Sequence, residues 1–301
     1  MPPESATARH LSPEVGLLLV VLFWAGNFTA AKIAFTQLDP LAFTAIRFAI
    51  GSVAIWLVAR IVEGRVPLPR GAFWPLVWTG VIGNTIYQFC FVEGLDRTSA
   101  TKSSLILAGM PALVTWCAGM LGIEHVTHRQ RIAVLIATIG VGVVVLARGG
   151  GIDTSVGAGD ALLLGAVLFW AAYTLMLRRY ALPMSPLQIT AWTVYTGTPG
   201  LLVLGIPALL HTHWHTVSWA GWGGVLYSAL LSLVVAYVLW TRGIGTIGAA
   251  RTALYNTIVP LFATLIAVVI LHEKPGLGDL LGGLLIVAGV LLSTSSKAPA
   301  R

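Results

Sequence analysis

Apolar residues run along this chain in ten long stretches, at 14–35, 41–62, 72–94, 100–122, 130–148, 157–180, 186–209, 219–242, 249–271 and 277–296. Short polar segments rich in Pro, Gly, Asp, Arg and Lys separate them. A helix needs about 20 mainly apolar residues to cross a bilayer. The pattern therefore predicts an all-α membrane protein with ten transmembrane helices. The connections leave little chain for an extramembrane domain. The segment 1–13 is polar, and the apolar run behind it is longer than a signal-peptide core.

The pattern is also doubled. Leu22-Phe23-Trp24-Ala25 returns 146 residues later as Leu168-Phe169-Trp170-Ala171, and the same offset pairs Pro40-Leu41 with Pro186-Leu187 and Thr44-Ala45 with Thr190-Ala191. A second block repeats at 149, pairing Gly94 with Gly243, Ala100 with Ala249, Lys102 with Arg251, Pro111 with Pro260, Glu124 with Glu273 and Gly140 with Gly289. Matched Trp, Pro and Glu at nearly one offset mark two tandem copies of one unit. The copies span residues 15–148 and 157–295, with the Gly-rich 148–159 segment between them.

Composition sharpens this reading. Hydrophobic residues make up 57% of the chain and charged residues 10%, against about 25% charged in soluble domains. The net charge of +7 comes from cations scattered among loops, not gathered on a face, so it argues for membrane topology and against a nucleic-acid partner. With the N-terminus inside, twelve Lys and Arg fall on the cytoplasmic side: Arg9, Arg60, Arg65, Arg70, Arg129, Arg131, Arg178, Arg179, Arg242, Arg251, Lys297 and Arg301. Five fall opposite: Lys32, Arg97, Lys102, Arg148 and Lys274. Both termini are thus expected in the cytoplasm. Five spans per copy is an odd number, so the second copy enters the membrane upside down. The predicted architecture is two inverted five-helix repeats, with a substrate site near the midplane between them.

Polar and aromatic residues inside the spans are the candidate lining of that site, because a polar group in hydrocarbon needs a partner or a watered cavity. Trp24 and Asn27 share a face of the first span, and Trp170 and Tyr173 occupy the equivalent face of the sixth. Asn84, Tyr87 and Gln88 share a face of the third span, and Ser228, Ser232 and Tyr237 are the polar positions of the eighth. Interhelical glue is the competing account of such residues. Pro111 and Pro260 are expected mid-span, each freeing a carbonyl four residues earlier (Leu107, Asn256) and bending its helix as a hinge. Ser103, Ser104, Tyr255 and Asn256 lie near those kinks. Arg47 sits deep in the second span, where an Arg is functional or is neutralised by snorkelling or by Asp39 or Glu93.

None of the eleven Asp and Glu lies near a span centre. A buried carboxylate is the usual handle for a coupling ion, so facilitated movement down the substrate's own gradient is expected. Glu93, Glu124 and Glu273 at span ends are the remaining candidates for coupling. His211, His213 and His215 alternate in one loop, but no fourth ligand stands nearby to complete a metal site. Phosphate-binding, zinc-protease and nucleophile-elbow motifs are absent, so no enzyme activity and no cofactor or metal is expected. Cys90 and Cys117 read as buried thiols.

Leu-Phe-Trp-Ala in the first helix, Pro40 with Arg47-Phe48 in the second, Gly94-Leu95 and Ser99-Ala100 before the fourth, Pro111, and Leu-Gly-Ile-Glu124 together resemble the EamA domain of the drug/metabolite transporter superfamily. The second copy repeats the set with Gly243-Ile244, Gly248-Ala249-Ala250, Pro260 and Leu271-His272-Glu273. It departs at Arg47, where Thr193 stands. The resemblance implies ten helices with cytoplasmic termini, a cavity lined by helices one, three, four, six, eight and nine, and export of small metabolites. Within the family the aromatic lining resembles that of amino-acid exporters.

The expectation is a secondary transporter of the inner membrane. It exports neutral or aromatic amino acids, or similar amphipathic metabolites, by alternating access. Trp24, Trp170, Tyr87 and Tyr237, with Tyr173, form apolar walls. Asn27, Gln88, Ser103 and Asn256, with Tyr255, hydrogen-bond the substrate, and Pro111 and Pro260 allow the gating bend. Alternatives are a proton-coupled exporter of other metabolites, a lipid-acting membrane enzyme, a scaffold and a passive channel. The chain works as a monomer or as a homodimer packed through Gly278, Gly282 and Gly283.

Overall fold

The computed structural model describes residues 12–64, 67–122, 127–148, 151–152 and 157–294. Glu124, Arg9, Arg65, Lys297 and Arg301 lie outside the described residues.

The chain folds into helices α1 (Pro13–Phe35), α2 (Pro40–Val62), α3 (Phe73–Gly80), α4 (Tyr87–Asp96), α5 (Ala100–Leu107), α6 (Met110–Met120), α7 (His128–Leu146), α8 (Ala158–Tyr180), α9 (Pro186–His211), α10 (Trp219–Tyr227), α11 (Ala236–Ile247), α12 (Ala249–Leu254), α13 (Val259–Ile270) and α14 (Leu277–Thr294). Beyond them a two-residue antiparallel ladder pairs Ala147 with Ile152 and Arg148 with Gly151. Six helical runs are long and apolar enough to cross a membrane: Pro13–Phe35, Pro40–Val62, Ala100–Met120, Ala158–Tyr180, Pro186–His211 and Trp219–Ile247. Shorter apolar helices cover Arg131–Val144, Val259–Ile270 and Leu277–Gly289. The outer surface carries Ile61, Trp74, Leu210, Leu261 and Leu265 exposed, and such a surface is stable only against lipid.

Helix starts follow local chemistry. Asp39 Oδ1 accepts from the Leu41 amide at 2.8 Å and Ser185 Oγ from the Gln188 amide at 3.1 Å. Each precedes a Pro in the first helical position, where a missing N–H costs nothing. The two caps are 146 residues apart. Ser12, Ser99 and Ser218 cap α1, α5 and α10 in the same way.

Two features differ from the expected continuous spans. The third and eighth change register in the middle, through π-helical turns at Val81–Ile86 and Ser228–Val235. The fourth and ninth do not bend around an interior proline. Each helix stops, makes a short irregular turn and restarts, with Pro111 and Pro260 in the first turn of α6 and α13. A proline ring there meets no carbonyl of a preceding helical turn, so breaking the helix removes the clash that a continuous one would suffer. The amide of Ala112 bonds back to the Gly109 carbonyl and that of Leu261 to Ile258, closing the two turns alike.

Small residues bring α7 and α14 into close contact. A Cβ on Gly140 would meet the Gly282 carbonyl at 2.8 Å, and one on Gly289 would meet the Ala133 carbonyl at 2.7 Å. Gly140 and Gly289, like Ala133 and Gly282, are 149 residues apart, so the contact is reciprocal between equivalent positions. Gly282 is thus occupied within the chain, and Gly283 faces Leu105. The interior is correspondingly polar: Asn27, Arg47, Asn84, Gln88, Ser104, Ser228 and Asn256 are all buried.

Candidate functional site

A cavity lies among the two helix breaks, the second π turn and several of the buried polar groups. Its lining comes from α1 (Trp24, Asn27, Phe28), α2 (Arg47), α4 (Tyr87, Gln88, Phe91), the α5–α6 break (Ser104, Leu107, Ala108, Met110), α8 (Trp170), the second π turn and α11 (Ser232, Tyr237), and the α12–α13 break (Asn256, Val259). The free volume is about 50 Å³. A water needs about 10–15 Å³ by this measure, and ligand pockets usually enclose about 300–1,000 Å³. The cavity is narrow, with room for only a few waters.

One wall is an aromatic cluster. Trp24 and Trp170 meet edge to face with ring centroids 5.4 Å apart. Tyr87 lies 4.7 Å and Tyr237 5.3 Å from Trp170. Phe28 and Phe91 extend this wall at 5.6 Å from each other. The Trp24 indole donates to the Ser232 carbonyl at 3.0 Å. That oxygen lies in the π turn, where the change of register spares a carbonyl for a side chain.

The other wall is a polar chain. Arg47 Nη2 donates to Gln88 Oε1 at 2.6 Å, and Gln88 Nε2 donates to the Tyr237 hydroxyl at 2.8 Å. Arg47 Nη1 reaches Asn27 Oδ1 at 3.5 Å, and Ser228 Oγ donates to the same oxygen at 2.6 Å. The guanidinium carbon sits 5.5 Å from the Phe43 ring centroid and 5.3 Å from that of Phe48. Neither carboxylate considered from the sequence pairs with it: Asp39 caps α2 and Glu93 pairs with Arg97. The reason is reach, since Arg47 is buried mid-helix while both acids lie at helix ends.

The structure brings together Trp24, Asn27, Tyr87, Gln88, Trp170, Tyr237 and Asn256 from the expected set. Asn256 Nδ2 contacts the Met110 sulfur at 3.5 Å, tying the two helix breaks together. Three expected residues are placed elsewhere. Ser103 is fully buried and its hydroxyl donates to the Ser99 carbonyl of its own helix. Tyr173 stands behind Trp170 at 5.0 Å, and Tyr255 lies in the α12–α13 turn outside the lining. Asn84 donates to the Thr193 carbonyl and so faces α9. Met110, Phe28 and Phe91 are lining residues that sequence reasoning missed. Phe91 was findable, being one helical turn from Tyr87 on the same face. Among the described residues no group of His, Cys, Asp or Glu could hold a metal ion.

Three contacts join positions equivalent by the sequence offsets. Trp24 meets Trp170, and Ser52 Oγ meets Thr198 Oγ1 at 2.8 Å, both pairs 146 residues apart. Gln88 meets Tyr237 at an offset of 149. Toward one end of the bundle, Lys102 Nζ pairs with Asp160 Oδ2 at 3.1 Å, both side chains buried, and α5 runs along α8. The offsets map these two residues to Arg251 and Glu14, which are both exposed and unpaired among the described residues. Helices α12 and α1 make no comparable contact.

Residues 11–146 and 157–295 each match the EamA-like transporter family. An uncharacterized transporter of Bacillus subtilis, YyaM, is 26% identical over 292 residues, covering 95% of this chain and 94% of its own. An uncharacterized transporter of Archaeoglobus fulgidus is 28% identical over 292 residues, covering 93% and 96%. A probable terminal-alkyne amino-acid exporter of Streptantibioticus cattleyicolor is 26% identical over 277 residues, covering 92% and 91%. One solved crystal structure superposes with a TM-score of 0.72 over 94% of this chain and 98% of its own at 19% identity, so the fold is shared.

Proposed function

The chain belongs to the EamA-like transporter family, and from that membership we propose that it is a secondary transporter exporting neutral or aromatic amino acids, or similar small amphipathic metabolites, across the cytoplasmic (inner) membrane by alternating access. The observation that carries this reading is the narrow cavity, with an aromatic wall on one side and the Arg47–Gln88–Tyr237 chain on the other. An amphipathic solute presents those two surfaces, a hydrocarbon body and a polar end. The similarity to a probable terminal-alkyne amino-acid exporter over most of the chain supports the substrate class.

In this reading ten spans form two inverted five-helix repeats, with both termini in the cytoplasm. Two-fold related residues that touch must lie on the axis, as in any isologous contact. The contacts Trp24–Trp170, Ser52–Thr198 and Gln88–Tyr237, together with the reciprocal α7–α14 packing, are what such an axis requires. Alternating access further requires that the two ends differ at any moment. The Lys102–Asp160 pair closes one end while Glu14 and Arg251 stand apart at the other. Exchanging those two arrangements opens the cavity to the opposite side, with the turns before Pro111 and Pro260 as hinges. No carboxylate lines the cavity, which favours uncoupled movement.

Counterflow in liposomes tests the reading. Vesicles holding purified protein and preloaded with unlabelled amino acids are expected to take up labelled phenylalanine and leucine saturably at equal pH, and not a sugar phosphate. Absence of exchange for every amino acid overturns the substrate class. Exchange that needs a proton gradient overturns the uncoupled mechanism and returns attention to Glu93 and Glu273.

A further inference from the structure

Arg47 is 2% exposed in the centre of a helical bundle, and no carboxylate meets it. Among the described residues, the acids closest to the buried polar groups are engaged elsewhere. Glu93 pairs with Arg97, Asp160 with Lys102, and Glu273 accepts the Ala100 and Thr101 amides. A guanidinium has five N–H donors and cannot lose its charge. Only two of them are bonded, both to neutral amide oxygens, and Nε is buried without a partner. Leaving a cation in a low-dielectric interior without a counter-ion is costly and persists where a function needs it. Two phenyl faces and two amides hold this one in a fixed pose beside the cavity. In the same lining the Trp170 indole N–H is also buried with no acceptor. The lining holds no carboxylate and leaves two buried N–H donors without acceptors.

We infer that Arg47 is the anchor for the substrate's anionic group, and that the cavity selects small organic monoanions: a carboxylate on an apolar, ring-sized body. This rests on the transporter reading above and narrows its substrate class. A carboxylate accepts two N–H bonds from a guanidinium fork, and it brings the single charge that makes the site neutral. An α-ammonium group finds no such partner. No acid lines the cavity, and Asn27 Oδ1 already accepts from Ser228 and Arg47. A zwitterionic amino acid leaves the site with one net positive charge, whereas its deaminated carboxylate leaves none. Amino acids are then accepted through their carboxylate, with the ammonium contributing little. A sugar phosphate, doubly charged and without an apolar body, is disfavoured.

The test compares three molecules with one ring: phenylalanine, 3-phenylpropanoate, which lacks the ammonium, and phenethylamine, which lacks the carboxylate. Each is used to inhibit labelled phenylalanine counterflow and, separately, to raise the melting temperature of purified protein. The expected result is inhibition and stabilisation by 3-phenylpropanoate at least as strong as by phenylalanine, with none from phenethylamine. Arg47→Gln is expected to weaken both carboxylates by about thirtyfold or more, and Arg47→Lys less, because it keeps the charge and loses the fork. Should Arg47→Gln fail to fold, Arg47→Lys and the wild-type comparison still decide. Phenethylamine acting as well as the carboxylate, or Arg47→Gln leaving the inhibition constants unchanged, overturns the anchor and leaves the transporter reading standing. Arg47-dependent stabilisation by 3-phenylpropanoate without counterflow overturns the transport reading and leaves the anion site standing.

Discussion

Lys102 Nζ stands 3.1 Å from Asp160 Oδ2, and this ion pair joins the start of α5 to the start of α8 with both side chains withdrawn from solvent. Removing one partner of a buried pair strands the other charge, at a cost of about 3–5 kcal/mol. Lys102→Met and Asp160→Leu are each expected to lower the melting temperature sharply, and the double variant less than either alone. A thermal double-mutant cycle in detergent measures the coupling. Additive effects of the two singles would show that the pair does not hold this end closed.

The equivalent positions, Glu14 and Arg251, carry no such penalty because both are exposed and unpaired among the described residues. Glu14→Gln and Arg251→Gln are expected to leave the melting temperature unchanged and to slow counterflow several-fold. The charge exchange Glu14→Arg with Arg251→Glu is expected to recover part of the rate. Variants with unimpaired rates would remove this pair from the transport cycle.

Gln88 bridges Arg47 and Tyr237. Gln88→Glu places a carboxylate where the amide oxygen now accepts from Arg47, converting a neutral acceptor to a charged one worth about 1–2 kcal/mol more. The variant is expected to melt higher than wild type while losing at least about tenfold in carboxylate affinity, a trade of function for stability. Inhibition of counterflow by 3-phenylpropanoate, read beside the melting curve, checks both signs. Undiminished affinity in a stabilised variant would mean that the substrate does not use Arg47.

Pro111 and Pro260 sit where their missing amides would be unbonded in any case, so alanine costs little stability there, about 1 kcal/mol or less. Alanine does restore a donor able to bond the carbonyl four residues back, favouring one continuous helix across the break. Pro111→Ala and Pro260→Ala are expected to lower the maximal counterflow rate several-fold at unchanged KM, and the double variant more. A change confined to KM would assign the two breaks to binding and not to the bend.

Gly140 meets the Gly282 carbonyl across the α7–α14 contact. Overpacking of this kind costs about 1–3 kcal/mol. Gly140→Ala is expected to lower stability within that range and Gly140→Leu to exceed it, by thermal unfolding. Gly142, which has open space around it, serves as the control and is expected to tolerate alanine far better.

Much of this was legible in the chain. The doubled Trp24 and Trp170 mark two positions that touch, and Tyr87, Gln88 and Tyr237 lie on the faces that their spacing implies. Pro111 and Pro260 imply bends from sequence, because a proline's position within a span does not reveal whether the helix continues past it. The π turns left no trace, since Val81–Ile86 and Ser228–Val235 have the composition of ordinary helix. For Arg47 the sequence offers only Asp39 and Glu93, near helix ends, as candidate counter-ions. Its actual partners, Gln88 and Asn27, lie 41 and 20 residues away on other helices. Lys102 counted only as a topological charge, yet it is one half of a buried ion pair. Periodicity reports what one helix presents, and the meeting of faces decides the rest.

The single guanidinium in the cavity has a history written in its counterpart. Thr193 occupies the position equivalent to Arg47, and its hydroxyl bonds the Thr190 carbonyl of its own helix. Were the two copies identical, position 193 would carry a second buried arginine, which would also lack a counter-ion. Likewise, Gln88 meets a tyrosine and not a second glutamine only because the copies are free to differ. Joining the halves in one chain let a symmetric pair become complementary. Two unlike copies in one chain can therefore hold one such charge in the cavity, where two identical copies would carry two or none.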